Sequence, residues 1–256
     1  MATPPPTQPA AELSPEARAA VARARAHRLS YGVRTLQAPD RRLLVVVGET
    51  HLKLRTAHEI GAQLVDAFEL RGVETFPRKR VFCGRVLGVL IEAPRLLLRA
   101  LSLGAIRGST ITDARRATRG STVLLEETAR VPFALHVASL YLSVFFTVAF
   151  ALVLLQPFYQ HVPAGPFNLL LWLALLFQYH FVALIPALLL QRHSWSWLLH
   201  PGIAILTVRN VTMAEGTVAM LREHSLPRTA LVLMGRAHLP GYARELVEKH
   251  GFTQID

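Results

Sequence analysis

Apolar and polar positions follow one another along the chain in blocks that predict strands and helices in turn. Apolar runs at 43–47 and 230–234 predict buried strands, and shorter runs predict strands at 72–75 and 121–125. Helical spacing predicts helices in the segments around them, at 15–28, 56–70, 109–118, 212–224 and 240–250. Because helices alternate with strands, we expect an α/β domain with a mostly parallel sheet flanked by helices.

One long segment interrupts this pattern because it contains no charged side chain. Residues 131–191, 61 positions, contain no Asp, Glu, Lys or Arg. Two apolar stretches within it, 133–155 and 167–190, are each long enough to cross a hydrocarbon core of about 30 Å. Three prolines and a glycine lie between them and favour a reversal of the chain. We expect an inserted two-helix transmembrane hairpin, with a buried helical pair in a large soluble core as the alternative.

Composition and flanking charge extend this prediction. Apolar residues make up 52% of the chain and the mean hydropathy is +0.33, which is high for a soluble protein. The connector of the hairpin has no positive charge, whereas Arg119 and Arg130 precede the first span and Arg192 follows the second. Since short basic loops stay on the cytoplasmic side, we expect a protein of the cytoplasmic (inner) membrane with both termini in the cytoplasm.

The formal net charge is +11, and 21 of the 28 basic residues precede the first span. These residues are not interleaved with aromatic ones and match no nucleic-acid-reading motif, so the expected partner is an anionic lipid bilayer rather than nucleic acid. In the segment 86–106, Glu92, Arg95 and Arg99 recur at helical spacing. This predicts an amphipathic helix that lies on the membrane or, equally, covers the sheet.

The chain is therefore expected to have four parts. A tail rich in Pro and Ala, at 1–13, has no apolar core and predicts disorder rather than a signal peptide. The α/β domain is predicted to occupy 14–130 and 192–256, and the hairpin at 131–191 divides it. The sequence leaves open whether the chain forms a homo-oligomer.

Two similar motifs follow the two main apolar runs. "VVVGETHL" continues from the valines to Gly48, two further residues and His51, and "LVLMGRAH" repeats the spacing with Gly235 and His238. In open α/β sheets, ligands bind in the crevice beyond the carboxyl ends of the strands. A lone histidine there is usually structural, but the second motif indicates that both strand ends contribute to one site.

Longer stretches around these motifs resemble the TraB/PrgY family, which is related to the GumN and Tiki proteins. "VVVGETHLKLRTAHEIGAQLVDAFELRGVETFPRKR" is similar to the opening of that family, where Gly-x-x-His precedes a helix and a strand that ends in a Glu, here Glu74. The middle block of the family resembles "GSTITDARRATRGSTVLLEETARVP", and a later block resembles "VRNVTMAEGTVAML". Its second Gly-x-x-His-x-Pro-Gly resembles "MGRAHLPGYARELVEKHGF". Where the family tends to carry an acidic-Arg pair after the middle strand, this chain has Glu126 and Glu127.

The resemblance implies a divalent-metal-dependent hydrolase that acts on a peptide or protein substrate, since the Tiki branch is regarded as metal-dependent proteases. Two neutral imidazoles and a carboxylate are suitable ligands for Mn²⁺, Co²⁺ or Zn²⁺ and leave a position open for water. The resemblance favours Mn²⁺ or Co²⁺. The expected ligands are His51, His238 and Glu74. Glu74 is also the expected general base, and Glu49 is the alternative carboxylate.

Three further residues are candidates for substrate binding: Arg209, Asn210 and Arg236. Arg209 is expected to stabilise a developing oxyanion or to bind a substrate carboxylate, with a salt bridge that orients Glu74 as the alternative. For Asn210 a backbone hydrogen bond is favoured over a chemical role. The second hypothesis for the whole protein is a membrane-anchored binding or signalling module that keeps the fold without turnover.

Overall fold

The structure is a computed structural model of the chain, and it describes residues 11–51, 53–76, 81, 84–127, 130–155, 186, 189, 198 and 200–255. The chain forms two compact units. The first consists of Met1–Phe76, Leu98–Ala129 and Asn210–Asp256, and the second of Pro77–Leu97 and Arg130–Arg209. The predicted disordered tail, apart from residues 11–13, and almost all of the second predicted span lie outside the described residues.

Helices and strands both occur along the whole described chain. The helices are α1 (Pro15–Ala26), α2 (Arg55–Asp66), α3 (Gly84–Leu101), α4 (Thr110–Arg116), α5 (Phe133–Leu155), α6 (Pro201–Ile203), α7 (Arg209–Glu223) and α8 (Leu239–His250), with a π-helical segment at Ala204–Val208. The strands are β1 (Tyr31–Gln37), β2 (Leu43–Glu49), β3 (Lys53–Leu54), β4 (Leu70–Val73), β5 (Ile106–Arg107), β6 (Ser121–Leu124), β7 (Thr229–Gly235) and β8 (Thr253–Gln254).

A six-stranded sheet with the order β6-β4-β7-β2-β1-β8 forms the centre of the first unit. The pairs β6/β4, β4/β7 and β7/β2 are parallel, and β1 runs antiparallel to β2 and to β8. The prediction of a mostly parallel sheet flanked by helices is confirmed. The antiparallel edge was not predicted, because β1 and β8 are not marked by a clear apolar run in the sequence.

Alternate residues of the central strands pack into two different layers. Val45, Val47, Leu231 and Leu233 pack with α1, α2 and α4 in one core cluster. The neighbouring positions of both strands, such as Val232, pack with α7 and α8 in the other cluster. Both faces of these strands are buried, which is why their sequences are continuous apolar runs instead of alternating ones.

Local sequence signals define the ends of several helices. The Ser14 hydroxyl accepts a hydrogen bond from the Ala17 N–H at 3.1 Å, and Pro15 opens α1. Gly251 ends α8 with φ of 69°, the left-handed conformation that glycine adopts at little cost. Together with the Pro240 that opens α8, these signals allow both helices to be placed closely from sequence.

The predicted boundaries around Glu74 are wrong by a few residues. The helix predicted at 56–70 ends at Asp66, and the strand predicted at 72–75 spans Leu70–Val73. Leu70 is buried in the sheet core instead of ending the helix. Glu74 is therefore the first residue beyond the strand, so its side chain is available to the crevice.

In the second unit, α5 has the bounds predicted for the first membrane span. Its first turns pack on the segment after α6, where Ala134, Leu135, Ala138 and Ala204 form a small buried cluster. Among the residues whose side chains the structure describes, no helix is both long and apolar enough to cross a membrane.

The predicted amphipathic helix forms as α3. Its described leucines are largely exposed, with 60% of Leu96 and 70% of Leu101 accessible to solvent. Glu92 and Arg95 form an ion pair at 3.1 Å on the same helix. Whether this segment lies on a membrane or covers the sheet stays a prediction.

The close approach of α7 to the turn after β6 depends on Gly216. A Cβ at this position would lie 2.0 Å from the carbonyl oxygen of Leu125, which is backbone and cannot rotate away. We expect Gly216→Ala to lower the free energy of unfolding by about 1–3 kcal/mol, as overpacking does, although alanine is the better helix former. Glu215→Ala, at the exposed neighbouring position, should change it by less than about 0.5 kcal/mol in denaturant titrations. A Gly216→Ala variant as stable as the wild type would contradict the close packing of α7 on the Leu125 carbonyl.

Candidate functional site

The carboxyl ends of three neighbouring parallel strands meet at one edge of the sheet. Glu49, at the end of β2, pairs in register with Gly235 at the end of β7. On the other side of β7, the backbone N–H of Glu74 donates to the carbonyl of Leu233 at 2.9 Å. The sheet therefore brings the ends of both Gly-x-x-His motifs and Glu74 together, as the sequence predicted.

The Glu74 carboxylate is held through one of its oxygens. Its Oε2 accepts a hydrogen bond from the backbone N–H of Gly235, and its Oε1 lies 3.7 Å from Nε2 of His238. The main-chain carbonyl of Glu74 also accepts a hydrogen bond of 2.7 Å from Arg115. The side chain is only 11% exposed. A carboxylate held in this way is oriented before any ligand binds.

His238 is oriented by Asn210. The His238 ring lies at the start of α8, and its Nδ1 is 2.8 Å from Oδ1 of Asn210, in a pair that is almost completely buried. Since Oδ1 can only accept, Nδ1 carries the proton, and in the neutral ring Nε2 presents a lone pair on the Glu74 side. Asn210 is itself held against Gly241, where a Cβ would lie 2.2 Å from its Nδ2.

His51 approaches the same place from β2. A Cβ built on Gly235 would lie 3.1 Å from Nε2 of His51 and 3.3 Å from Oε2 of Glu74. Both atoms therefore lie close to the Gly235 backbone, where any larger residue would be tightly packed. His51 is half-buried.

Glu49 has a different role from the one that its position suggested. Its Oε1 accepts hydrogen bonds from the Ser109 hydroxyl and, at 3.3 Å, from the Ile111 N–H. Its Oε2 accepts from the Lys53 ammonium and, at 3.1 Å, from the Thr110 N–H. With four donors on a fully buried group, the Glu49 carboxylate holds the start of α4.

Lys53 completes this buried network. Its ammonium also donates to the Thr110 hydroxyl at 2.9 Å and lies 5.3 Å from the centre of the Tyr31 ring. Burial lowers the pKa of Lys53, and the charge of Glu49 opposes that shift. Burial also raises the pKa of Tyr31, whose hydroxyl donates to the Ala57 carbonyl at 2.6 Å. The network joins β1, β2, α2 and α4 behind the site.

The two predicted arginines lie in different parts of the fold. Nη1 of Arg236 donates to the carbonyls of Arg28 at 2.8 Å and Leu29 at 3.1 Å, so this guanidinium holds the loop between α1 and β1. Arg209 is buried at the first position of α7 and belongs to the second unit. Its predicted roles, at an oxyanion or beside Glu74, stay predictions.

Several supporting residues were not predicted. Arg115 holds the Glu74 backbone, and Glu126 accepts a hydrogen bond of 3.0 Å from the Thr75 N–H. Lys53 and Ser109 fix Glu49. The one sequence signal for them was Ser109, which precedes α4 as a helix cap. The contacts of Arg115 with Glu74 and of Glu126 with Thr75 join residues far apart in sequence, which no local pattern indicates.

The donor set is chemically suitable for a divalent ion. Two imidazole nitrogens and a carboxylate are the ligands that Mn²⁺, Co²⁺ and Zn²⁺ accept, and His51 and Glu74 border the same space beside Gly235. His238 has the hydrogen-bonded Nδ1 typical of metal-ligating histidines. In the described part of the chain, no three His, Cys, Asp or Glu side chains are already grouped closely enough to hold a metal ion.

Comparison with known proteins gives no assignment. No family model, no curated protein and no solved structure matches the chain.

The structural role of Glu49 is testable by charge removal. Glu49→Gln leaves the Lys53 ammonium buried without a counter-ion, so the free energy of unfolding should fall by about 3–5 kcal/mol. The double variant Glu49→Gln with Lys53→Met removes both charges and should recover most of that loss. Urea titrations followed by circular dichroism measure both values. A double variant no more stable than Glu49→Gln would contradict the ion-pair explanation.

Proposed function

We propose that the protein is a metal-dependent hydrolase, a peptidase of the TraB/Tiki type, whose site is the crevice bordered by His51, Glu74 and His238. The observation that supports this most strongly is the placement of Glu74. One oxygen of its carboxylate accepts a hydrogen bond from the Gly235 N–H and the other lies 3.7 Å from Nε2 of His238, while Nε2 of His51 approaches the same Gly235 backbone. The sequence resemblance to the TraB/PrgY family supports the same proposal.

In this mechanism Glu74 is the general base. The Gly235 N–H orients its carboxylate, and Arg115 holds its backbone, so one oxygen remains directed into the crevice to take the proton of an attacking water. The same carboxyl group can then return that proton to the leaving amine. The low exposure of Glu74 limits competition from bulk water for its hydrogen-bonding oxygens.

His51, His238 and Glu74 are the residues that would hold the metal ion, with Mn²⁺ or Co²⁺ favoured and Zn²⁺ as the alternative. When bound, the ion supplies a Lewis acid at the scissile carbonyl. Asn210 contributes by keeping Nε2 of His238 unprotonated in the neutral ring and fixing its direction. Asn210 is thus proposed to be a positioning residue and not a substrate-binding one.

The hydrolase is further proposed to act at the cytoplasmic face of the inner membrane. Residues 131–191, which carry no charge, would form a two-span hairpin, and α5 begins and ends where the first span was predicted. The excess of basic residues before the hairpin and the exposed leucines of α3 are suited to a surface of anionic lipid. Such an anchor would hold the site close to peptide or protein substrates at the membrane.

This mechanism predicts metal binding and turnover through the same residues. Elemental analysis of the purified wild type should find about one divalent ion per chain, and His51→Ala and His238→Ala should lose it. Asn210→Ala should weaken metal binding about 10–100-fold, the usual effect of losing a group that orients a ligand.

In a peptide-library assay with Mn²⁺ or Co²⁺, Glu74→Gln should reduce cleavage at least ~100-fold while thermal unfolding stays unchanged.

Matched controls are available on the same domain. His250→Ala removes a histidine at the end of α8, and Glu215→Gln removes an exposed carboxylate of α7, so both should keep metal and turnover. Unchanged metal content in both site histidine variants would show that these histidines are structural. Wild-type protein that cleaves no peptide, or a Glu74→Gln variant as active as wild type, would favour the binding-module hypothesis.

The hairpin makes a separate prediction about topology. Glu74 precedes residues 131–191 and His238 follows them. Both residues are therefore in one compartment only if this segment crosses the membrane an even number of times. Reporter fusions at Gly165 and after the C-terminus should report opposite sides of the membrane, with the C-terminus cytoplasmic. Fusions that report the same side would contradict the hairpin without testing the metal site.

A further inference from the structure

A group of exposed leucines lies on the first unit, a few residues along the chain from His51. Leu54 is 62% exposed, Leu101 at the end of α3 is 70% exposed, and Leu103 is 96% exposed, the highest value among the large apolar side chains that the structure describes. The pairing of β3 with β5 brings these positions together, because Leu54 pairs with Ile106, three residues after Leu103. We call Leu54, Leu101 and Leu103 the leucine surface. Exposed apolar residues that are grouped in this way mark an interaction site.

The turn that carries Leu103 is held by its own hydrogen bonds. The Ala105 N–H donates to the Ser102 carbonyl at 2.9 Å, and the Ser102 hydroxyl accepts from the Ile106 N–H at 3.1 Å. A Cβ built on Gly104 would meet no atom within 4 Å, so the tip of the turn projects from the protein surface. Pockets for ligands are concave, whereas a projecting apolar tip is suited to insertion into a soft, extended surface.

The charged residues around this turn are basic. Arg99 and Arg107 are both exposed, and they lie on either side of the turn in sequence. No Asp or Glu occurs between Glu92 and Asp113. The Arg99 guanidinium reaches the end of β5, since its Nη1 would lie 3.5 Å from a Cβ built on Gly108. Exposed leucines flanked by long cationic side chains are complementary to anionic lipid, where the leucines enter the acyl boundary and the cations stay with the phosphates.

We propose that the leucine surface contacts an anionic lipid bilayer and holds the His51 side of the candidate site close to the headgroups. Three residues separate His51 from Leu54, so the two backbone positions are at most about 11 Å apart. The substrates that such a site reaches are peptide bonds close to the membrane surface. The inference rests on the proposed membrane location, to which it adds a second contact besides the hairpin. It is independent of metal binding.

Fluorescence quenching by brominated lipid tests this contact. In a chain whose single cysteine, Cys83, is replaced by serine, Leu54→Cys and Leu103→Cys each carry an environment-sensitive label. The full chain is reconstituted into vesicles of phosphatidylcholine and phosphatidylglycerol. Both labels should lose fluorescence when the phosphatidylcholine is brominated on its acyl chains. Leu226→Cys is the matched control, because Leu226 is 74% exposed but lies between α7 and β7, near the amino ends of the parallel strands. Its label should remain unquenched.

The role of the arginines is tested with two double variants of equal net charge. Arg99→Gln with Arg107→Gln should lower the ratio of quenched to unquenched label in anionic vesicles about fivefold for each charge removed. Arg222→Gln with Arg244→Gln removes two exposed charges from α7 and α8 and should leave this ratio unchanged. Equal effects of the two double variants would overturn the assignment of the basic residues to lipid.

Flotation of the labelled chain on a density gradient separates the possible failures. A chain that floats with the vesicles, but whose labels at 54 and 103 are quenched no more than the label at 226, keeps the membrane location and overturns the contact. A chain that does not float contradicts both. Labels that are shielded from water without being quenched would assign the surface to a protein partner, such as a second copy of the chain. Elemental analysis of metal content reports on the hydrolase proposal separately.

Discussion

The parallel pairing of β2 with β7 is the constraint on which the rest of the candidate site depends. It sets Glu49 opposite Gly235, so the two Gly-x-x-His motifs reach the same edge of the sheet. A slip of one residue would exchange the two faces of a strand that is buried on both sides. The valines and leucines of the two cores therefore stabilise the register, and the register in turn positions His51 and His238.

The ion pair of Glu49 and Lys53 positions α4 relative to the end of β2. Removing two charges from water is costly, and the cost is offset here because the carboxylate also accepts the N–H groups at the start of that helix. α4 then carries Arg115, which holds the Glu74 backbone. The position of the proposed base thus depends on a buried charge pair that does not itself face the crevice.

Sequence periodicity predicted most of the helices and the parallel part of the sheet. Continuous apolar runs identified β2 and β7 because strands buried on both faces have no polar positions. The edge strands β1 and β8 were missed, since β1 mixes exposed and buried positions and β8 has only two residues. The end of α2 was misplaced because Leu70 fits a helical pattern as well as a strand.

By itself the sequence determined which groups are present at the strand ends, namely two histidines and two acids at motif spacing. It could not decide between Glu49 and Glu74, because both follow apolar runs. Only the tertiary structure shows how each carboxylate is engaged: Lys53 and the start of α4 donate to Glu49, while Glu74 accepts from the Gly235 N–H and lies 3.7 Å from His238. The physical reason is that, apart from Lys53, the groups that donate to these two carboxylates lie far away in sequence, and local patterns carry no information about such contacts.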